Sequence, residues 1–304
     1  MVNKKAIVTG ANGFIGSHLV SELLKNNYYV AAVVHNSAGR LPKNEKCRVL
    51  RLDEIESHKH VLEESDFFFN LLWTGVDRGG RESIELQLKN IDLSQKMVEL
   101  ANSLRVRKFI GLGSVMEIES TRNLDSPNAL PTMAHIYGGA KLASAIFSKS
   151  FAIKQNMEFN WVRLTNTFGP GEISNRLICY TLKSCLLKES PKFTEGNQLY
   201  DFIYIDDVTR GLRLIAEEGK NLKTYLLGSG APQPLKNYLL QIKKLVAPSL
   251  FFDLGFYKYN GESLTCSDLD ATELLNDCNF TPNYDFKDGI LNTFKWIESQ
   301  KNFI

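Results

Sequence analysis

Cysteine is sparse in this chain: five in 304 residues, Cys47, Cys179, Cys185, Cys266 and Cys278, with no C-x-x-C spacing among them. An odd, scattered set excludes a disulfide framework and reads as the reduced thiols of a cytoplasmic protein. Long apolar runs are missing too. The longest, 66–73, is strand-sized and far short of the roughly 18 apolar residues of a membrane span, so no membrane partner is expected. A leader is also not expected, because residues 1–5 run directly into a short strand and a glycine turn. Nor is either sign of charge in excess. With 36 Lys+Arg against 34 Asp+Glu, a net +2 argues against a general nucleic-acid binder. His58 and His60 form the one close histidine pair, without a Cys or carboxylate at tetrahedral spacing, so no metal site is expected. What remains is 43% hydrophobic and 23% charged, enough for a sizeable core in one large domain or two smaller ones.

The first half alternates strands and helices. Short apolar runs at 6–9, 29–34, 48–52, 66–72 and 108–112 read as strands. Leu19, Val20, Leu23 and Leu24 recur at helical spacing over 18–24, and a long helix is predicted over 84–103. Apolar strands joined by helices imply an α/β fold. The expected form is a doubly wound parallel sheet of the Rossmann type, with ligands at the carboxyl ends of the strands. After about residue 162 the rhythm loosens, with Gly169-Pro170-Gly171 and 228–232 as punctuation. The expected division is a dinucleotide-binding domain over 1–163 and a smaller mixed α/β substrate-binding lobe, mainly 164–304. Segments near 201–218 are expected to return to the first domain.

The first strand runs into Gly10-Ala11-Asn12-Gly13-Phe14-Ile15-Gly16, and a helix follows. Glycines here permit a tight turn, backbone approach to a pyrophosphate and close helix–strand packing, while the helix N-terminus supplies N–H donors. Leu71 and Leu72, ending the fourth strand, are expected beside the same cofactor. Asp53, after the third strand, lies where such folds contact adenine, or is a surface acid.

The G-x-x-G-x-x-G spacing resembles the extended branch of the short-chain dehydrogenase/reductase superfamily, the NAD-dependent epimerase/dehydratase family. That resemblance implies a Tyr-x-x-x-Lys pair with an upstream Ser or Thr. Tyr137, Lys141 and Ser114 supply them. Residues four apart share a helix face, so phenol and ammonium can enter one pocket. A free phenol titrates near 10, too high for acid–base work at neutral pH, and a neighbouring cation moves it towards the working range. Ser114 would hold the substrate oxygen. The resemblance covers essentially the whole chain, through Arg163–Pro170, Asp201–Val208, Tyr225–Gly230, Phe280–Pro282, Gly289-Ile290 and Trp296. It implies a nucleotide-activated sugar as substrate, Asn166 as a substrate or sugar contact, and a homodimer built on the helix over 84–103 and the one after Tyr137.

Three departures narrow this reading. Family dehydratases follow the strand-five hydroxyl with an Asp-Glu pair, whereas Ser114 is followed by Val115 and Met116. That disfavours elimination and leaves reduction or epimerisation; Glu117, one residue further, could still line the site. NAD-binding members carry an acid after the second strand, and none occurs between Glu22 and Glu45. His35, Asn36, Ser37 and Arg40 suit a 2′-phosphate instead, so NADP(H) is preferred, with NAD(H) possible. Finally, Tyr200 and Lys258 stand where diphosphate-gripping arginines are usual. Arg176, Lys192 or Lys258 could compensate, as could Arg78 or Arg81, unless these are solvated charges; Phe193 and Tyr200 could stack on a base. Trp73 either narrows the pocket beside the nicotinamide or packs in the core, and His135 is a substrate contact or a loop residue. The expected activity is NADPH-dependent reduction of a 4-keto nucleotide sugar with Tyr137 as general acid. The alternatives are an NAD-dependent nucleotide-sugar 4-epimerase and, in a different class, a non-catalytic NADP(H)-binding regulatory module.

Overall fold

The computed structural model describes residues 4–127, 130–259, 261 and 263–300. Residues 1–3, within the N-terminal stretch read for a leader, and Asn260 of segment 258–261 lie outside the described residues. The chain opens with β1 (Lys5–Thr9), α1 (Phe14–Lys25), β2 (Tyr29–Val34), β3 (Cys47–Arg51), α2 (Lys59–Leu62) and β4 (Phe67–Asn70). Next come α3 (Arg78–Glu82), α4 (Ile84–Ser103), β5 (Lys108–Ser114), α5 (Met116–Asp125), α6 (Ala134–Lys154) and β6 (Glu158–Leu164). After them come β7 (Asn166–Phe168), α7 (Leu177–Leu187), β8 (Leu199–Tyr200), β9 (Phe202–Tyr204) and α8 (Ile205–Glu218). The chain finishes with β10 (Thr224–Leu227), β11 (Gln233–Pro234), α9 (Leu235–Val246), α10 (Thr272–Cys278) and α11 (Phe286–Ser299).

Seven strands form one parallel sheet in the order β10-β6-β5-β4-β1-β2-β3. The order reverses between β1 and β4, which opens a crevice at the carboxyl ends of those strands. Both faces are covered, so the central strands are apolar throughout: Phe67, Phe68 and Phe69 are all fully buried. Register is keyed by an aromatic ladder. Phe68, Phe109 and Phe159 are direct partners across β4, β5 and β6, and their rings lie nearly parallel at 5.5 and 5.9 Å. Trp161 extends the stack at 6.4 Å. A one-residue slip would turn these rings to the opposite face and break the ladder. No helix among the described residues is long and apolar enough to cross a membrane.

Two differences from the sequence reading position the site. β5 runs on to Ser114, so the hydroxyl sits on the last strand residue. The helix expected after Tyr137 begins earlier, at Ala134, and carries both Tyr137 and Lys141. Gly138 and Gly139 hide that start, since glycine weakens a helix by about 1 kcal/mol relative to alanine. Packing overrides the propensity: a Cβ on Gly138 would stand 2.2 Å from the Met116 carbonyl oxygen, so glycine at that position lets α6 lie against α5.

The motif-like segments of the second half act as clamps. Asp201, fully buried, accepts from the Ser229 amide at 2.9 Å and from the Ser229 hydroxyl, tying the 201–208 segment to the 228–230 loop. Asp207 accepts from the amides of Asn283 and Tyr284 at 2.8 and 2.9 Å, fastening α8 to the C-terminal segment.

Candidate active site

The turn after β1 is shaped for close backbone contact. Gly10 has φ +66°, and a Cβ there would lie 2.8 Å from the Leu71 carbonyl oxygen. A Cβ on Gly16 would lie 2.2 Å from the Gly10 carbonyl oxygen. Gly13 caps α1 without any side-chain hydrogen bond, so the first amides of that helix remain available to an anion. Gly10, Gly13, Phe14, Ile15, Gly16 and Leu71 line a cavity of about 230 Å³ that continues to Ser114, Tyr137 and Lys141. A dinucleotide fits this cradle: its pyrophosphate would lie on the α1 amides and its nicotinamide end near Tyr137.

The rest of the expected cofactor set is placed unevenly. Asn12 bridges to the loop after β2, donating to the Ser37 hydroxyl at 3.0 Å and accepting from the Arg40 amide at 2.9 Å. His35, Asn36, Ser37 and Arg40 are exposed there, and the Arg40 guanidinium donates to the Gly171 carbonyl at 3.0 Å. Leu72 packs instead into the core on the other side of the sheet. Asp53 is exposed and engaged by Arg51 through two hydrogen bonds of 3.0 and 2.7 Å.

Tyr137 and Lys141 project from α6 into the cavity, one turn apart. Ser114 lines the same cavity as the Tyr137 phenol. Burial raises the phenol's pKa, and the guanidiniums of Arg81 and Arg176 oppose that rise. The Lys141 ammonium donates to the Leu112 carbonyl at 2.8 Å. Burial brings it down to about 7. Trp73 resolves towards the pocket: its ring meets Tyr137 edge-on at 6.0 Å, and Lys141 Nζ lies 3.6 Å from the indole centroid. The indole N–H donates to Gln87 at 3.0 Å.

A second cavity, of about 830 Å³, opens beyond this one, with Arg81, Glu119, His135, Arg176, Tyr257 and Lys258 among its lining residues. Arg81, Arg176, Val76 and Ser174 line both, so the two guanidiniums stand where the cavities meet. Arg81 Cζ lies 4.9 Å from the Tyr137 ring centroid, and its Nε is buried without a partner among the described residues. Burial and then Arg176 disfavour its charge, which an anion would restore. Arg176 has a carboxylate nearby, Glu172 at 3.6 Å. Arg78's side chain lies outside the described residues. His135 lines the larger cavity, its Nδ1 accepting from the Thr132 amide at 2.8 Å.

Other expected contacts are placed elsewhere. Phe193 is only 3% exposed and packs in the core against Tyr180 and Phe252, where no ring of a ligand can reach its face. Tyr200 packs on Phe202 at 5.6 Å and lines neither cavity. Asn166 donates to the Asp201 carbonyl at 3.3 Å, and its neighbours Thr165 and Thr167 line the cleft, as strand alternation requires. Lys192 caps Phe256 at 3.9 Å. Glu117 does not line the site. It is fully buried and accepts from the Ser114 amide at 2.8 Å, Trp161 Nε1 at 3.0 Å and Arg163 Nε at 2.8 Å. Arg81 is the member whose proximity the sequence leaves open: it sits in the short Gly-rich helix α3, and only the fold brings it onto Tyr137.

Comparison with known proteins agrees with this geometry. The model of the "NAD dependent epimerase/dehydratase family" matches residues 6–228. CDP-abequose synthase of Salmonella typhimurium is 27% identical over 297 residues, covering 93% of this chain and 95% of that protein. UDP-N-acetylglucosamine 4-epimerase of Methanobrevibacter ruminantium, solved with UDP-N-acetylmuramic acid, has a TM-score of 0.83 at 23% identity, covering 99% of this chain and 100% of that one. UDP-glucuronic acid 4-epimerase of Bacillus cereus, solved with UDP-glucuronic acid and NAD, has a TM-score of 0.80 at 23% identity, covering 97% and 99%.

Proposed function

The chain belongs to the NAD-dependent epimerase/dehydratase family of extended short-chain dehydrogenases/reductases, and from that premise we propose that it reduces the 4-keto group of a nucleotide-activated sugar, preferring NADPH. The observation that carries this reading is that the Tyr137 phenol, Ser114 and Lys141 line one cavity, which meets the larger one at a pair of guanidiniums. The glycine turn and the Tyr137–Lys141 end of the cavity would hold a reduced nicotinamide cofactor, which would supply the hydride for the sugar carbon. Tyr137 donates its proton to the sugar oxygen, and Ser114 holds that oxygen in line. Trp73 and Val76 wall the junction, and Arg81 and Arg176 there would meet the anionic diphosphate, with Lys258 in the lining of the larger cavity. The name CDP-abequose synthase, a relative that spans nearly the whole chain, supports a nucleoside-diphosphate sugar.

Elimination of water is disfavoured because Val115 and Met116 cannot move a proton and Glu117 is held behind the strand by Arg163 and Trp161. The preference for NADPH rests on the carboxylate-free loop after β2, where Ser37 and Arg40 are tied to Asn12 of the glycine turn. A 4-epimerase would use the same Ser114–Tyr137 pair without net use of cofactor. Purified protein with a 4-keto nucleotide sugar decides between them: stoichiometric loss of NADPH absorbance is expected, and its absence refutes the reductase reading. Tyr137→Phe should abolish that turnover and keep cofactor binding; a fully active variant would refute the catalytic assignment. We place the enzyme in the cytoplasm as a homodimer joined through α4 and α6, which leave Leu88, Ile146 and Phe147 more than half exposed. Phe147→Glu should then yield monomers in sedimentation.

A further inference from the structure

Ser114-Val115-Met116-Glu117 carries the S-x-x-E pattern of a helix capping box, and its serine is the residue that ends β5 at the cavity. Glu117 closes half of such a box: its Oε1 accepts from the Ser114 amide at 2.8 Å. The same oxygen accepts from Trp161 Nε1 at 3.0 Å, and Oε2 accepts from Arg163 Nε at 2.8 Å. The carboxylate is fully buried, and Trp161 and Arg163 both belong to β6, the strand paired with β5. Gly113 makes room for it, since a Cβ there would lie 2.3 Å from Glu117 Oε1 and from Trp161 Nε1. Glu117 thereby ties the turn between β5 and α5 to the sheet.

The rest of that turn is bonded as fully. The Val115 amide donates to the Leu164 carbonyl at 2.8 Å, and the Met116 amide donates to Ser114 Oγ at 3.3 Å. The amides of residues 114–116 are therefore all engaged within the protein, and none is left to polarise a substrate oxygen as an oxyanion hole would. What the turn offers the cavity is the Ser114 hydroxyl. Its oxygen already accepts from Met116, so its own proton remains to be donated.

We propose that Glu117 positions the Ser114 hydroxyl for the reaction: anchoring the Ser114 amide from behind the strand, it holds Oγ–H as a donor to the substrate oxygen. The serine side chain hangs on the backbone atom that Glu117 pins, and a displacement of about 1 Å in a catalytic group is enough to cost up to about a hundredfold in rate. Glu117 touches no reacting atom and acts through Ser114. Its charge is spent on Arg163, so an uncharged oxygen in the same place should anchor the amide nearly as well.

The inference rests on Ser114 as the donor to the substrate oxygen in the proposed reaction. Two readouts test it: NADPH-linked turnover of a 4-keto nucleotide sugar, and hydrogen–deuterium exchange of the Ser114 amide, which needs no substrate. Glu117→Met removes the acceptor. It should lower kcat about tenfold or more, keep KM within about twofold and speed Ser114 exchange about 100-fold or more. Glu117→Gln keeps an oxygen for the amide and should hold kcat within about threefold. In a Ser114→Ala background, Glu117→Met should cost less than about twofold further, because both changes remove the same donor. Glu117→Met/Arg163→Met, which leaves no unpaired buried charge, replaces the single variant where that one is too unstable to purify. Wild-type kcat without the acceptor, or the full loss repeated in the Ser114→Ala background, marks a merely structural carboxylate and overturns the proposal. So does a Ser114 amide that exchanges as slowly without Glu117 as with it. A wild type that turns over no keto sugar refutes the proposed reaction instead, and the exchange readout still decides whether Glu117 is the anchor.

Discussion

Lys141→Met should stabilise the cofactor-free chain at neutral pH, and the gain should vanish as the pH rises. Lys141 is 5% exposed, and burial lowers its pKa from the ordinary 10.5 to about 7. The unfolded chain therefore holds its proton up to about 10.5, while the folded chain gives it up near 7. Between those limits the unfolded state binds about one proton more, so folded stability climbs with pH by about 1.4 kcal/mol per unit. The penalty is full below pH 7 and is gone above 10.5, adding to a ceiling of about 5 kcal/mol. Methionine removes the titration and leaves the Leu112 carbonyl without its donor, which costs about 1–3 kcal/mol at every pH. The variant should thus lead by about 2 kcal/mol at pH 7, and the wild type should regain about 2 kcal/mol on it by pH 9. Urea unfolding of both chains at pH 7, 8 and 9 measures this difference, since other titrating groups largely cancel between them. A difference that stays constant across the series, or one in which the wild type loses ground, would refute the claim that this ammonium is held at an energetic cost in the folded site.

Three further outcomes are expected. Glu117→Gln should lower stability by about 2–4 kcal/mol in urea, because it strands the Arg163 guanidinium beside a neutral group. The KM for a keto sugar should stay within about twofold of wild type, since Glu117 lies behind β5 and outside the cavity. Gly16→Ala should cost about 1–3 kcal/mol of stability and abolish cofactor binding in a fluorescence titration, its methyl colliding with the Gly10 carbonyl at 2.2 Å. Arg40→Ala should weaken NADPH about tenfold, the loss of one charge-assisted contact, and leave NADH unchanged. If NADH binds the wild type more tightly than NADPH, the 2′-phosphate reading is wrong.

Periodicity made most of the first half readable. β2 and α4 fall on the predicted ranges, and the other strands of that half differ by one or two residues at their ends. The reason is local: strands buried on both faces must be apolar throughout, and a surface helix must be apolar every three or four residues. The start of α6 was not readable, because Gly138 answers to α5 and not to its own helix. Phe193 was misplaced for a related reason. An aromatic in a loop-like stretch has no period to say which way it faces, and here Tyr180 and Phe252 claim it for the core.

By itself the sequence determined the family, the glycine turn and the Tyr137–Lys141 pair, since each depends on residue type at a fixed spacing within one turn or one helix; Ser114 joins them because β5 ends beside α6. It also determined the missing carboxylate after β2, which is a matter of composition. Only the tertiary structure decided which charges act on Tyr137. Glu117 lies three residues from Ser114 yet is turned away by Arg163 and Trp161 of β6. Arg81 lies 56 residues from Tyr137 and rests on its ring. Electrostatic coupling depends on distance and burial, and between segments far apart in sequence the folded chain sets both.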